Sequence, residues 1–412
     1  MRVLFLLMKI DCNDGITSYC ETLAGGLKAA DVPVDLVCGG IHCKPGEEHR
    51  WQAMEANLVS WKVVPRLRTI PDPASLVALR SHIRTHGITV INVHGLRMLL
   101  WGKLLAITTG LPVVATYHPS IHGELDQLSE LSRRPLSFTE KAVLRWCAPD
   151  RLVVLSSESA RYLVQECPRI RNSIVKVNGA VDDTHFRPPT AEERAAARRR
   201  LQLADEDVTI LHVGRMSLNK GHDLLIDAVR QVRNGPAGRR LRCLFVGSGG
   251  EENQIKERAY QDEEDRTTFT FLGFVKDLRE ALWAADIFAL PSRLEGFALA
   301  VVEAMCAGLV AVRTPSGGAA DQIVDGKTGI IVPFENAGKL AEAIALLSDS
   351  VKRAEIRSNS LAYAGQRFTR AAMTRRMMTV YEEVGGGQAT SAWRSATALN
   401  RVRSIFGGLQ SR

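Results

Sequence analysis

Two carboxylates, Glu295 and Glu303, stand in the otherwise nearly uncharged stretch LPSRLEGFALAVVEAMCAG, Leu290 to Gly308. IFALPS reads as a strand, residues 293–296 as the loop at its carboxyl end, and ALAVVEAMCAG as a helix stopped by Gly308. Glu295 then faces a cleft from the loop, and Glu303 lies one to two turns inside the helix, about 7 Å farther along at the helical rise. A carboxylate accepts two hydroxyl hydrogen bonds well, so a pair at this separation suits the diols at two places on one nucleotide-sugar. Backbone N–H groups of Phe297, Ala298 and Leu299, at the amino terminus of the helix, are placed to meet the phosphates between them. The plainer alternative is a loop acid and a solvated helix acid. The apolar flanks of Glu303, AVV and AM, weigh against it, because a charge buried there needs partners.

The other chemistry-bearing motifs of the second half also follow strands. HVGRMSLNKGHDLLIDAV puts Arg215 and Lys220 between a strand and a helix amino terminus, where the free N–H groups already favour an anion. Together they suit a diphosphate; taken alone, they are equally well two surface cations. FVGSGGEE supplies Gly247 and its neighbours, which let a backbone approach a flat ligand or a phosphate closely. The spacing is not G-x-G-x-x-G with a later acid, so no nicotinamide cofactor is expected.

The elements that position these residues come from an alternation of short apolar runs with longer segments of helical period, the rhythm of a parallel sheet covered on both faces. Strand candidates begin at Val3, Val34, Thr89, Pro112, Arg151 and Ile174. After a strandless, charged stretch at residues 183–207 they resume with VTILHVGR, CLFVGSGG, FTFLGFV, IFALPS, LVAVRTP and GIIVPF. The fold class is therefore α/β, with two Rossmann-like doubly wound parallel-sheet domains facing across a cleft. The expected division is 1–190 for a first domain and 191–370 for a second. A helix at 371–385 crosses back to the first domain, and a basic tail follows at 386–412. That tail reads as a frayed terminus in preference to a membrane-surface helix.

A chain of 412 residues with 45% hydrophobic and 24% charged residues is long enough for two cores and is neither disordered nor fibrous. The apolar start, MRVLFLLMKI, is short and lacks a cleavage site, so it reads as a buried strand, and no apolar run is long enough to span a membrane. The eight cysteines contain no C-x-x-C pair, CGGIHC (Cys38–Cys43) fits no zinc spacing, and reduced cytoplasmic thiols are expected. The net charge of +8 suits an acidic partner without choosing among them.

The set GR(x4)KG, VGSGGEE, FLGFV, ALPSRLEGFALAVVEAMCAGLVAV and GGAADQIVDGKTGIIV resembles the retaining glycosyltransferases of family 4 (glycosyl transferases group 1), which have the GT-B fold. The resemblance is dense from Val208 to Pro333 and looser before it. It implies that Arg215 and Lys220 bind the donor diphosphate, Glu295 the sugar hydroxyls and Glu303 the ribose, with backbone around Phe274 and Val275 meeting the base. In the first half it implies a glycine-rich loop, here KIDCNDGITSY. Asp14-Gly15 stands where two glycines are usual, which leaves Gly15 for close backbone approach. His118, on its own a loop histidine, matches one that points at the donor sugar. Ala298 replaces a common helix-start glycine, a change that leaves the N–H donors in place.

The implied reaction is transfer from a nucleoside-diphosphate-sugar to an acceptor hydroxyl with retention, the acceptor proton passing to the departing phosphate. No other cofactor and no metal are expected, since the cations and the helix amino terminus can stabilise the leaving group; no Asp-x-Asp motif is read as a metal site. The expected partners are the nucleotide-sugar and a glycan or lipid-linked glycan acceptor, with an anionic membrane surface and no nucleic acid. The setting is cytoplasmic, at the inner face of a membrane, in bacterial surface-polysaccharide or glycolipid assembly. Arg133 and Arg134, in SIHGELDQLSELSRRPLSF, could face such an acceptor. An epimerase, a phosphorylase and a non-catalytic nucleotide-sugar binder remain as alternatives.

Overall fold

The computed structural model describes residues 1–12, 14–43, 48–67, 70–118, 136–235 and 240–386. Its strands are, in chain order, β1 (Val3–Leu7), β2 (Ile10–Asp11), β3 (Val34–Cys38), β4 (Ile41–His42), β5 (Ser60–Val63), β6 (Val90–His94), β7 (Val113–Tyr117), β8 (Arg151–Val154), β9 (Ile174–Lys176), β10 (Val208–Val213), β11 (Leu241–Val246), β12 (Phe269–Gly273), β13 (Ile287–Leu290), β14 (Val310–Arg313) and β15 (Gly329–Ile331). They form a seven-stranded sheet, β5-β3-β1-β6-β7-β8-β9, a six-stranded sheet, β12-β11-β10-β13-β14-β15, and the small pair β2-β4.

Pairing is parallel throughout, with Val3 opposite Val34 and Val90 in the first sheet and Ile210 opposite Cys243 and Ile287 in the second. Parallel neighbours need crossovers, which bury both faces, and this is why the strands are continuous apolar runs: β1, β3, β6 and β7 are buried at every position. Both sheets reverse their winding beside their first strand, between β1 and β6 and between β10 and β13. Ligands of doubly wound sheets sit outside the carboxyl ends of the strands at such a reversal. All six second-half strand candidates and all six first-half ones lie on observed strands. Edge strand β5, whose Trp61 is 43% exposed, has no such apolar run behind it.

Four helices matter for the site: Gly15–Ala29 after β1, His222–Arg233 after β10, Leu299–Cys306 after β13 and Arg370–Gly385 at the end. The last presents Met373, Met377, Val380 and Val384 at helical spacing, all buried, and packs on the Gly15–Ala29 helix and on β6 and β7. Asn92 on β6 donates to the Tyr381 hydroxyl at 2.7 Å, and the Tyr19 hydroxyl lies 3.8 Å from the Met377 sulfur.

The cysteines depart from expectation. β2 pairs with β4, Asp11 opposite His42, so the next residues, Cys12 and Cys43, come together with Cα atoms 5.1 Å apart and are disulfide-bonded. The other six are free and buried. Among the described residues no helix is long and apolar enough to cross a membrane. Arg133, Arg134 and the tail from 387 lie outside the described residues.

Candidate active site

Glu295 leaves β13 on the loop that leads to the Leu299–Cys306 helix and is only 5% exposed. Its carboxylate accepts from the Lys220 ammonium at 2.7 Å. Burial alone would raise its pKa, but the Lys220 charge and hydrogen bond, with help from Ser292 and the Arg313 charge, hold it below the ordinary value. Lys220 ends a 3-10 turn, Leu218–Lys220, and Gly221 follows at φ 73°. A Cβ on Gly221 would overlap the Pro291 carbonyl, so glycine alone lets this turn close onto the loop carrying Glu295. Arg215, at the carboxyl end of β10, is exposed and makes no hydrogen bond or ion pair among the described residues.

Two arginines brace this arrangement. Arg293 donates to Asp223 at 2.9 and 2.7 Å and to Glu335 at 2.9 Å, and its backbone N–H bonds the Asn219 carbonyl at 2.8 Å, tying the Lys220 turn to the Glu295 loop. Arg313 is fully buried beneath them. It donates to the Ser316 carbonyl and hydroxyl, each at 2.9 Å, and to Gln322, whose amide in turn donates to the Ala298 carbonyl at 3.0 Å. Burial brings its pKa down to about 10, against the pull of Glu295 and Glu158. Neither was among the expected site residues. Arg293 was visible as the one cation beside Glu295; nothing in VAVRTP marks a charge as buried.

The Leu299–Cys306 helix starts with Ala298 at its N-cap, without a side-chain cap and without an acid in its first turn. Its first N–H groups are thus open to an anion. Phe297 has a second part: its ring and the Leu299 side chain lie 3.0 and 3.1 Å from where a Cβ on Gly179 would sit, making an apolar seat between the halves. Glu303 is 7% exposed, and its side chain makes no hydrogen bond or ion pair among the described residues. Burial raises its pKa, opposed by the Arg50 charge from the first half. The carboxylate therefore faces the other domain, with capacity for hydrogen bonds that the protein leaves unused.

Across the cleft, Gly15 opens the Gly15–Ala29 helix. No atom lies within 4 Å of where its Cβ would be, although the Asp14 side chain already accepts from Thr17 N–H at 2.7 Å. His118, just past β7, is 9% exposed and stacks on His94 at 5.5 Å, with their nearest nitrogens 3.2 Å apart. The Tyr19 ring meets it edge-on at 5.1 Å. Burial takes His118 down to about 3 and His94 well below its ordinary range, so both are neutral.

Gly247 requires a correction. At φ 137°, a Cβ there would overlap the Gly214 carbonyl, so the close approach it permits is to the backbone preceding Arg215 and not to a ligand. Phe274 and Val275 follow β12, the first 41% exposed and the second half-buried, at the carboxyl edge of the second sheet.

Two groups resemble metal sites. Asp35, His82 and His86 have ligand atoms within 4.8 Å of one another, but Arg2 holds both oxygens of Asp35 at 2.5 and 3.0 Å and opposes a cation. The chain also holds one Asp-x-Asp triplet, Asp205-Glu206-Asp207, which the motif reading passed over. It precedes β10, at the end of the sheet away from the cleft, where Asp207 caps Ala204 N–H at 2.8 Å and meets Arg240 at 3.0 Å.

Residues 13–185 match the family model described as Glycosyltransferase Family 4, and residues 193–363 match Glycosyl transferases group 1. The D-inositol 3-phosphate glycosyltransferase of Corynebacterium aurimucosum is 27% identical over 293 residues, 68% of each chain. A GDP-mannose-dependent monoacylated alpha-(1-6)-phosphatidylinositol monomannoside mannosyltransferase of Corynebacterium glutamicum is 31% identical over 212 residues, 49% of this chain and 54% of that one. The match thus spans about half the length of several curated relatives. Among solved structures, Anabaena Alr3699/HepE in complex with UDP superposes with a TM-score of 0.76 at 22% identity, over 93% of this chain and 100% of that one. A glycosyltransferase from Rickettsia africae also gives 0.76, at 17% identity, over 93% and 98%.

Proposed function

The chain belongs to the family-4 glycosyltransferases, and on that premise we propose that it moves a hexosyl group from a nucleoside-diphosphate-sugar to an acceptor hydroxyl, with retention and without a metal. The observation that carries this reading is the buried Glu295 paired with the half-buried Lys220 beside an uncapped helix amino terminus, with Glu303 one turn into the same helix. Glu295 takes sugar hydroxyls, Glu303 the ribose diol, and Arg215 with Lys220 and the helix N–H groups the diphosphate. Negative charge grows on the leaving diphosphate as the glycosidic bond breaks; Lys220 and the helix N–H groups, already held in place, stabilise it without rearranging, and Arg215 adds its charge from the loop.

The departing phosphate oxygen accepts the proton of the attacking hydroxyl on the same face. What supports a reaction without a dedicated base is the state of His118: an imidazole held at about 3 is a weak proton acceptor and serves as a neutral hydrogen-bond partner of the sugar. Similarity to a structure titled as a complex with UDP and to a relative named for GDP-mannose supports a nucleotide-sugar donor. That relative's name also contains a phosphatidylinositol mannoside, which together with the net charge of +8 supports a glycan or lipid-linked glycan acceptor at an anionic membrane surface.

The test is a panel of UDP-, GDP- and ADP-sugars with EDTA present, scored by thermal shift and by slow nucleoside-diphosphate release, on the parent and on Glu303→Ala. One donor should stabilise the parent and be slowly hydrolysed, and the variant should lose both effects. Equal binding by parent and variant, or no binding by either, rejects the proposed site.

A further inference from the structure

A cavity of about 350 Å³ opens at the amino ends of β13 and β14, the opposite end of the second sheet from the candidate site. Arg194, Arg353 and Arg357 line it, and Asp286 is the one carboxylate among its lining residues. Arg194 is partly satisfied: it donates to the Trp283 and Ala285 carbonyls at 3.0 and 2.9 Å and to Asp286 at 2.8 Å. Arg353 donates to the Leu347 carbonyl at 2.6 Å and lies 3.5 Å from the same Asp286 oxygen. The other Asp286 oxygen accepts from Thr209 N–H at 2.9 Å and has Arg198 3.6 Å away.

Arg357 makes no hydrogen bond or ion pair among the described residues. Its guanidinium lies against Gly308, which leaves it room: three guanidinium atoms are 3.1 to 3.5 Å from where a Cβ would stand. The carbonyl end of the Leu299–Cys306 helix offers it partial negative charge, yet burial and the charges of Arg194 and Arg353 lower its pKa against the single pull of Asp286. The lining therefore carries three positive charges against one negative charge, Arg194 and Arg353 held by hydrogen bonds or ion pairs and Arg357 exposed at the mouth.

We propose that this cavity binds a small phosphate monoester, its dianionic head held by Arg357 and Arg353 and its organic part against Pro189, Trp283 and Ala354. The excess of two positive charges matches a phosphate monoester near neutral pH, and planar guanidinium groups fit phosphate oxygens in pairs. The volume exceeds what the bare anion fills, and the remaining wall is mixed, with Pro189, Trp283 and Ala354 beside Thr190 and Ser350.

The proposal is independent of the donor site and is tested on an Arg215→Ala background, so that binding there cannot come from the proposed diphosphate site. Glycerol 3-phosphate and inorganic phosphate are titrated calorimetrically in a phosphate-free buffer. One equivalent of glycerol 3-phosphate should bind, more tightly than phosphate, and affinity should fall about tenfold or more in Arg357→Gln, a partial loss being kept in Arg357→Lys. A second variant, Ser350→Glu, adds negative charge at the exposed cavity mouth without touching the arginines and should block binding as well. Equal affinity for the two probes overturns the ester, and an absence of saturable binding, or an unchanged affinity in both Arg357→Gln and Ser350→Glu, overturns the site.

Discussion

The two walls of the cleft are built from opposite materials. The second domain lines its side with ions locked to other ions: Lys220 to Glu295, Arg293 to Asp223 and Glu335, with Arg313 buried behind them. The first domain answers with a neutral buried cluster, His94, His118, Tyr19 and Cys20, and brings one cation, Arg50, toward Glu303. Fixed charge in a desolvated wall stabilises a charged ligand only if it is already held in place, and the arginine braces do that. Neutral imidazoles stacked on one another can orient a hydroxyl but carry little charge into the reaction. On the proposed reading, the diphosphate end of a donor lies against the second domain's wall and the uncharged end against the first domain's.

The sharpest way to break the contrast is Lys220→Met. It leaves Glu295 buried without its cation, and a stability loss of about 3 kcal/mol is expected in chemical denaturation, together with a fall in kcat/KM on the order of a thousandfold. Glu303→Ala should weaken donor binding on the order of a hundredfold in calorimetry, while Glu303→Gln keeps part of it, because an amide still accepts one hydroxyl hydrogen bond. His118→Ala should lower kcat only about tenfold and leave the acid limb of the pH–rate profile unmoved. An ionisation near 6.5 that vanishes in this variant would instead make His118 a charged participant and erase the difference between the walls.

A slower measure concerns the fold itself. His118 is held at about 3 and His222 at about 4, both by burial, with His94 and His212 also well below the ordinary range. For a base with a depressed folded pKa, the unfolded chain takes up the proton first. Stability is therefore complete above the unfolded value near 6.5 and is lost as pH falls toward the folded values, by about 1.4 kcal/mol per pH unit for each such histidine. Urea midpoints from pH 7 to 5 should fall accordingly, and His222→Gln should reduce the slope by one histidine's share. The smallest effect is analytical: alkylation of unfolded, unreduced protein should count six thiols and not eight.

What could be read from the sequence was what a single periodicity carries. Strands buried on both faces are continuous apolar runs, so β1, β6, β10 and β13 could be placed, and with them the loops holding Arg215, Lys220 and Glu295. β5 could not, since four residues such as SWKV, though alternating, are too few to stand out and carry no apolar run. Arg313 was passed over because its burial depends on three residues just downstream, Thr314, Ser316 and Gly317, curling back to offer carbonyls. Gly247 looked like a ligand glycine because a requirement for positive φ is the same whether the neighbour is a phosphate or the Gly214 carbonyl. The Cys12–Cys43 pair rests on two-residue strands too short to carry a pattern.

The Arg370–Gly385 helix bears on how the chain is made. It is synthesised after both sheets, yet Met377 and Tyr381 complete the packing around Tyr19 and Asn92 of the first domain. Folding during synthesis generally proceeds by domains from the amino end, but here the first domain leaves the ribosome with one face uncovered and must keep it from aggregating until the second domain has emerged as well. For the same reason the halves are not interchangeable modules. A chimera joined at the linker near residue 190 would carry a closing helix fitted to another protein's first domain, and a chain cut at residue 369 should expose the seam around Tyr19 and Asn92 while leaving the second sheet whole.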